Sequence, residues 1–201
     1  MIDWNEQWAH FAPNFENGYA SVALENGQNV RLKAGPGFGD GSHPTTKLVL
    51  ELMPPYIRGK NVVDLGCGTG ILSIAASHLG ARRVLGIDIC NESLAHAQEN
   101  AHLNGLKLNF SKILTEDLWE VILLNMISSE QKMAWSEQQA LRNFQGLVIS
   151  SGVLSTQRDN YLAQVSQRGW ECLGVKEKDG WLGFIFQVRN RHAACRNHIP
   201  S

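Results

Sequence analysis

Three glycines two positions apart, Gly66, Gly68 and Gly70, punctuate the run VVDLGCGTGILSIAASHLG between an apolar segment and a helical one. Glycine reaches positive φ at little cost and lets another backbone or a ligand approach where a Cβ would stand. Asp88 follows Gly66 by 22 residues, close to the spacing of about 20 at which a second-strand carboxylate receives ribose hydroxyls. A Gly-rich turn by itself is only a turn; with a carboxylate so placed it predicts a ligand containing adenosine. The dinucleotide fingerprint G-x-G-x-x-G is not met, because Ile71 stands where its third glycine would fall. A dehydrogenase with a pyrophosphate on the helix N-terminus is therefore not expected.

Such residues act together only if strands and helices deliver them to one crevice. From Gly59 onward short apolar runs alternate with helical segments. NVVDLG, RRVLGIDI, LKLNFSKI, WEVILLNM and GLVISSGVL read as strands. Between them, ILSIAASHLG is a helix ending at Gly80. NESLAHAQENAHLNG is another, with Asn91 as its cap and Leu94, Ala97 and Ala101 on its apolar face. A helix from Ser129 to Phe144 carries Met133, Ala140, Leu141 and Phe144 along one side, and STQRDNYLAQVSQRG forms a last helix. WECLGVKEKDGWLGFIFQVRN is a pair of strands around a Lys-Asp-Gly turn. The pattern predicts an α/β fold: a doubly wound, mostly parallel seven-stranded sheet with right-handed crossovers and a terminal antiparallel hairpin.

Upstream lie two short strand-like pieces, YASVAL and NVRLKA, then the loop GPGFGDGSHPTT and a helix TTKLVLELM stopped by Pro54-Pro55. The expected organisation is an N-terminal extension with a loop over 1–44, a binding and catalytic domain over 45–190, and a loose tail over 191–201.

The totals narrow the classes. With 201 residues, 43% hydrophobic and 18% charged, the chain fits one globular domain. A net charge of −1 provides no field for holding nucleic acid by its phosphates. Cys67, Cys90, Cys172 and Cys195 form no C-x-x-C pair, so neither a zinc site nor a disulfide framework is expected, and no metal is assigned. No secretory signal or membrane-length apolar run is read, which predicts a soluble cytoplasmic protein.

The spelling DLGCGTG is the D-x-G-x-G-x-G form of S-adenosylmethionine-dependent methyltransferases, and Asp64 at its head suits a ligand with an amino group and a sulfonium. Together with PGFGDGSHPTT, VLGIDI, WEVILLNMI and ISSGVLSTQ, it makes the chain resemble, over roughly residues 3–190, the bacterial methyltransferases of ribosomal large-subunit protein eleven. The resemblance implies a Rossmann-like class I methyltransferase fold, S-adenosylmethionine as cofactor and methylation of protein amino groups. It places the cofactor on Thr45 or Thr46, Gly66, Asp88 and Asn125, with Gly68 and Gly70 completing the turn. Asn125 would hold the acceptor nitrogen by its amide oxygen, beside Thr46, and Phe38 would wall the acceptor channel. Adenine contacts are implied near Ile113 and Leu114. Family members begin with a small domain that grips the ribosomal protein; the chain is expected to lack it, which leaves room for a separate recruiting chain. Two further departures stand out: Asp40 would bring an extra negative charge near the transfer site, and Cys90 replaces a second acid.

NMIS at Asn125 lacks the Pro and aromatic residue of N-P-P-Y motifs that stack on planar amides or bases, which favours an aliphatic amine. His43 is either a base for that amine or a hydrogen-bonded loop histidine. Cys67 reads as a small turn residue; Cys90, Trp119 and Met133 read as packing residues. Protein N-methylation is the expected activity. The competing expectations are a small-molecule or nucleic-acid methyltransferase, separated by which acceptor takes the methyl, and a catalytically weak cofactor-binding module, separated by binding without turnover.

Overall fold

Val62, Val63, Asp64 and Leu65 retain almost no exposed surface, as a strand must when it has neighbours on both edges and helices on both faces. They form β3 (Asn61–Leu65), the centre of the sheet in the computed structural model, which describes residues 2–189. β3 pairs in parallel with β4 (Arg83–Ile87) and with β6 (Val121–Asn125). β5 (Asn109–Ser111), β7 (Gly146–Leu154), β8 (Trp170–Lys178) and β9 (Trp181–Val188) complete the sheet in the order β5-β4-β3-β6-β7-β9-β8. Only β9 runs antiparallel to β7, and β8 antiparallel to β9. Asp179 and Gly180, both at positive φ (50° and 77°), close that hairpin, the backbone an Asp-Gly turn favours.

Alternate residues of the central strands feed two cores. Val62, Val121, Leu123 and Ile149 pack on one face under α2 (Pro44–Leu52), α4 (Ile71–His78) and the separate hairpin of β1 (Tyr19–Ala23) and β2 (Asn29–Lys33). Val63, Leu65, Ile122, Leu124 and Val148 pack on the other with Trp119, Tyr161, Phe184 and Phe186. Trp119 is thus a core residue, as expected.

Several elements differ from the expectation for local reasons. A short helix α1 (Trp4–Ala9), capped by Asp3, precedes the first hairpin. Pro54 does not merely stop α2: it opens a second short helix, α3 (Pro54–Ile57), as a proline at the first helical position does. α5 (Asn91–Leu103) begins after Cys90 with no side-chain cap, so Asn91 does not have that role. Its buried face is His96, Ala97, Asn100 and Ala101, with Leu94 only half-buried. α6 (Ser128–Glu137) ends seven residues before Phe144, because Gln138 turns extended and its buried amide binds the 112–114 segment, accepting from Leu114 N–H at 2.8 Å. Two 3-10 turns, Gln139–Leu141 and Ser155–Gln157, and α7 (Arg158–Gln167) complete the helices among the described residues. The tail expected over 191–201, with Cys195, lies outside the described residues.

The chain leaves β3 toward β4 and β5 on one side, while β6 and β7 lie on the other. The cleft at the carboxyl ends of β3 and β6, where ligands bind in open α/β sheets, therefore opens between Gly66 and Asn125. Among the described residues no helix is long and apolar enough to cross a membrane.

Candidate active site

Each glycine of the turn has positive φ, and each is met by a different part of the protein. A Cβ on Gly66 would strike the Met126 methyl group, and one on Gly68 the Phe38 carbonyl oxygen. A Cβ on Gly70 would stand 3.0 Å from Ala97 Cβ on α5. Only Gly66 and Gly68 line the cleft; Gly70 is packed against α5 behind it. The third glycine serves helix packing, not the ligand wall.

The cleft is a cavity of about 530 Å³, the size of a small-molecule site. Asp88 is on its wall, with Oδ2 accepting from Gly68 N–H at 3.0 Å and Oδ1 from Cys90 N–H at 2.9 Å. Those bonds fix the carboxylate against the glycine turn and leave lone pairs for hydroxyl donors. Asp64 is elsewhere. It is 1% exposed, takes the Ser73 N–H and hydroxyl at 3.0 and 2.7 Å, and is absent from the cavity wall. Burial pushes its carboxyl up to about 6, the Ser73 bonds opposing that shift. The expected contact between Asp64 and a ligand cation is therefore corrected: Asp64 ties α4 to β3.

The opposite wall comes from the start of α2 and the end of β6. His43 caps α2, its Nδ1 lying 3.3 Å from Thr45 N and 2.8 Å from Thr45 Oγ1. Burial lowers its imidazole below the ordinary value, with Asp40 partly opposing. With Nδ1 committed to the cap, the neutral ring carries its hydrogen on Nε2, the geometry of a hydrogen-bonded loop histidine. Thr45 lines the cavity. Thr46 is fully buried behind it and receives Asn125 Nδ2 at 3.1 Å on its hydroxyl. Asn125 lines the cavity, and its Oδ1 is buried with no partner among the described residues. The geometry brings Thr45, Gly66, Gly68, Asp88, Asn125 and Phe38 to one cavity and leaves Thr46, Asp64 and Gly70 behind its walls.

Phe38, 60% exposed, stands edge-on to His43 at 5.8 Å between ring centroids, and His43 in turn to Trp181 at 5.2 Å. Trp181 on β9 is a cavity residue that pattern alone did not single out, since it reads as one more hairpin aromatic. Asp40, expected to charge the transfer site, turns instead to Ser42, accepting from its N–H and hydroxyl at 2.8 and 2.7 Å, and does not line the cavity.

The third wall is α6. Ile113 and Leu114 do not reach the cavity; Met133, Ala134, Glu137 and Gln138 stand there. Met133, expected in the core, is 55% exposed on that wall. Asp88, Glu130 and Glu137 line the cavity, and among the described residues no Lys or Arg does. The turn after Asn125 is held by Gln131, whose Nε2 donates to Met126 O at 2.7 Å and Ser151 O at 3.0 Å, while Tyr161 donates to its Oε1 at 2.6 Å. A lone mid-helix glutamine carries no sequence signal for such a role. Cys67 is buried in the turn, and burial raises its thiol. Cys90 is corrected from a packing residue to an exposed one, its thiol lowered by the Ser93 N–H and hydroxyl beside the sulfur.

The chain matches the family model of ribosomal protein L11 methyltransferases over residues 7–189. It is 32% identical over 196 residues to the ribosomal protein L11 methyltransferase of Dictyoglomus thermophilum, covering 91% of this chain and 65% of that protein. Against the protein of the same description from Glaesserella parasuis it is 31% identical, covering 89% and 65%. The chain spans about 65% of the length of these curated relatives. Among solved structures it is similar to a ribosomal protein L11 methylase from Lactobacillus delbrueckii subsp. bulgaricus, with TM-score 0.71 and 27% identity over 89% of this chain and 92% of that one. Strand order and this likeness bear out the Rossmann-like class I methyltransferase fold.

Proposed function

The chain belongs to the ribosomal protein L11 methyltransferase family, and from that premise we propose that its cavity binds S-adenosylmethionine and directs methylation of an amino group on a ribosomal protein. Asn125 carries this reading: its buried, unpartnered Oδ1 faces the one need of an amine acceptor, an oxygen to receive N–H. S-adenosylmethionine supplies a sulfonium methyl, transferred to nitrogen as the carbon–sulfur pair stays on sulfur.

The residues present fit that cofactor. Asp88 would accept from the ribose, Thr45 at the first turn of α2 would receive the methionine carboxylate, and Gly66 and Gly68 would form the floor. Ile89 and the Met133 face of α6 would enclose the base. A wall bearing three acidic residues and, among the described residues, no Lys or Arg suits a cationic ligand and opposes phosphates, which favours a protein amine over a nucleic acid. Phe38, His43 and Trp181 would exclude water around the acceptor, and a desolvated amine holds its lone pair free more readily. Thr46 acts through Asn125 by holding its amide.

The same proposal divides the chain functionally near Pro44, with 1–44 supplying the Phe38 loop and 45–190 the cavity. A cytoplasmic location goes with a ribosomal substrate.

Label transfer tests the function. The protein is incubated with methyl-labelled S-adenosylmethionine and either free ribosomal protein L11 or an undermethylated extract, with Asp88→Ala as control. A labelled protein band lost in the control supports the reading, and transfer only in extract would indicate recruitment through a second chain. Label confined to RNA or small molecules overturns the acceptor, and no cofactor binding overturns the site.

A further inference from the structure

Between Lys33 and the start of α2 the loop carrying Phe38 has no regular structure, so its backbone groups must find partners outside it. Two side chains of α5 hold its base and its middle. Asn100, fully buried, accepts from Lys33 N–H at 2.9 Å and donates to Thr69 O at 3.0 Å. His96, buried one turn earlier, accepts from Gly37 N–H at 3.1 Å through Nδ1 and meets Lys33 O at 2.8 Å through Nε2. Those two bonds fix the tautomer: Nδ1 is bare and Nε2 bears the hydrogen.

The loop is shaped to this contact. A Cβ at Gly35 would lie 2.6 Å from the His96 ring, and one at Gly37 2.7 Å from Thr69 N. Beyond Gly37, Thr69 N–H donates to Phe38 O at 3.0 Å and Thr69 Oγ1 to Gly39 O at 2.7 Å. Thr69 lies between Gly68, whose N–H binds Asp88, and Gly70. The wall residue Phe38 and the carboxylate Asp88 thus hang on the same turn, and His96 fixes the approach to it.

We propose that His96 is a positioning residue whose neutral imidazole latches the Phe38 loop onto the glycine turn, and that protonation releases the loop. The consequence for catalysis rests on the methyltransfer reading; the latch itself does not. An imidazolium has N–H on both nitrogens, so Nδ1 would confront the Gly37 N–H instead of accepting it. Burial holds this imidazole below its ordinary value of 6.5. The charged groups facing it are Lys33 at the end of β2 and Glu99 from α5, paired with each other at 3.1 Å; α1 presents the uncharged Trp8 ring at 6.1 Å. Because the folded value is depressed, the latch is complete above about 6.5 and is lost as pH falls through the lower folded value.

Amide exchange on the full chain tests this, corrected for intrinsic rates, comparing peptides over 33–41 with reference peptides in β7 and β9. In the wild type, loop protection is expected to fall about tenfold, one hydrogen bond's contribution, as pH is lowered from about 7.5 through the depressed folded value, over the range in which the references hold. His96→Asn, whose amide oxygen takes the place of Nδ1 at any pH, is expected to keep protection with no pH step. His96→Ala loses it at every pH. A wild-type loop with no step, or a step that survives in His96→Asn, overturns the latch; should His96→Ala not fold, the other two proteins decide. Titration of the same samples with S-adenosylhomocysteine separates the two readings. A wild type that binds none refutes the cofactor site and leaves the exchange result to judge the latch.

Discussion

Asn125 at the end of β6 and Thr46 in the first turn of α2 are joined by a 3.1 Å hydrogen bond from Nδ2 to Oγ1. The bond uses the donor end of the amide and leaves Oδ1 buried and unpartnered among the described residues. A buried acceptor left bare costs about 1–3 kcal/mol, which a ligand N–H at that position would offset. Thr46 therefore fixes the orientation of the Asn125 amide.

Thr46→Val keeps shape and removes the hydroxyl. The amide then loses its orienting partner, and kcat for methyl transfer is expected to fall about tenfold or more, with melting lowered by about 1–2 kcal/mol of stability for the stranded Nδ2. Cofactor affinity, measured by calorimetry with S-adenosylhomocysteine, should stay within about twofold, since Thr46 lies behind the wall. A parallel loss of cofactor affinity would move Thr46 from acceptor orientation to cofactor binding.

Asp88 has both oxygens on backbone N–H groups of the site. Asp88→Ala removes those bonds as well as any to ribose, so a fall in affinity alone would not separate them. Asp88→Asn keeps one acceptor and the shape. Its affinity for S-adenosylhomocysteine should fall about 10–100-fold, the range for hydrogen bonds to a charged group, with melting of the free protein shifted much less. Equal losses in melting and binding would make Asp88 a residue of the turn alone.

How much of this could be read from the residues depended on whether the signal was local. β3 and β6 are apolar runs buried on two faces, and the Asp-Gly hairpin states its own turn, so the sheet was legible. Asp88 was legible because a strand end at fixed spacing after a Gly-rich turn lands in one place. Asp64 misled because a strand-end acid looks the same whether it faces the cleft or, as here, Ser73 beneath it. Gly68 looked like room for a ligand, and the Phe38 carbonyl takes that room, from a loop about thirty residues away whose path no local pattern states. The α6 wall was missed for a related reason: Gln138 spends its amide on Leu114 N and Lys112 O, ending the helix early and bringing Met133 and Glu137 to the cavity.

Asp64 should give the fold a pH dependence of definite sign. Its carboxyl is pushed from 3.8 up to about 6, so the protonated form is favoured in the folded state. The contribution is full below the unfolded value and is lost as pH rises to and through about 6. A shift of that size corresponds to about 3 kcal/mol at most. Asp64→Asn keeps an oxygen for Ser73 and cannot ionise. Denaturant unfolding of both proteins at acid and neutral pH should show the variant gaining on the wild type as pH rises; a constant difference would mean that folding leaves the proton affinity of this carboxyl unchanged.

Glu130 and Glu137 sit seven residues apart on α6, on the face that also carries Met133 and Ala134 into the cavity. Both are exposed, so each acts through a screened field and contributes about 0.5 kcal/mol. S-adenosylmethionine and S-adenosylhomocysteine differ in this cavity by one positive charge on sulfur, so the ratio of their affinities reads that field directly. In the Glu130→Gln, Glu137→Gln double variant the ratio should move about fivefold toward the uncharged ligand. The salt dependence of S-adenosylmethionine binding should weaken with it. An unchanged ratio with unchanged salt dependence would mean that the two carboxylates address bulk water, and that Asp88 alone gives the cavity its sign.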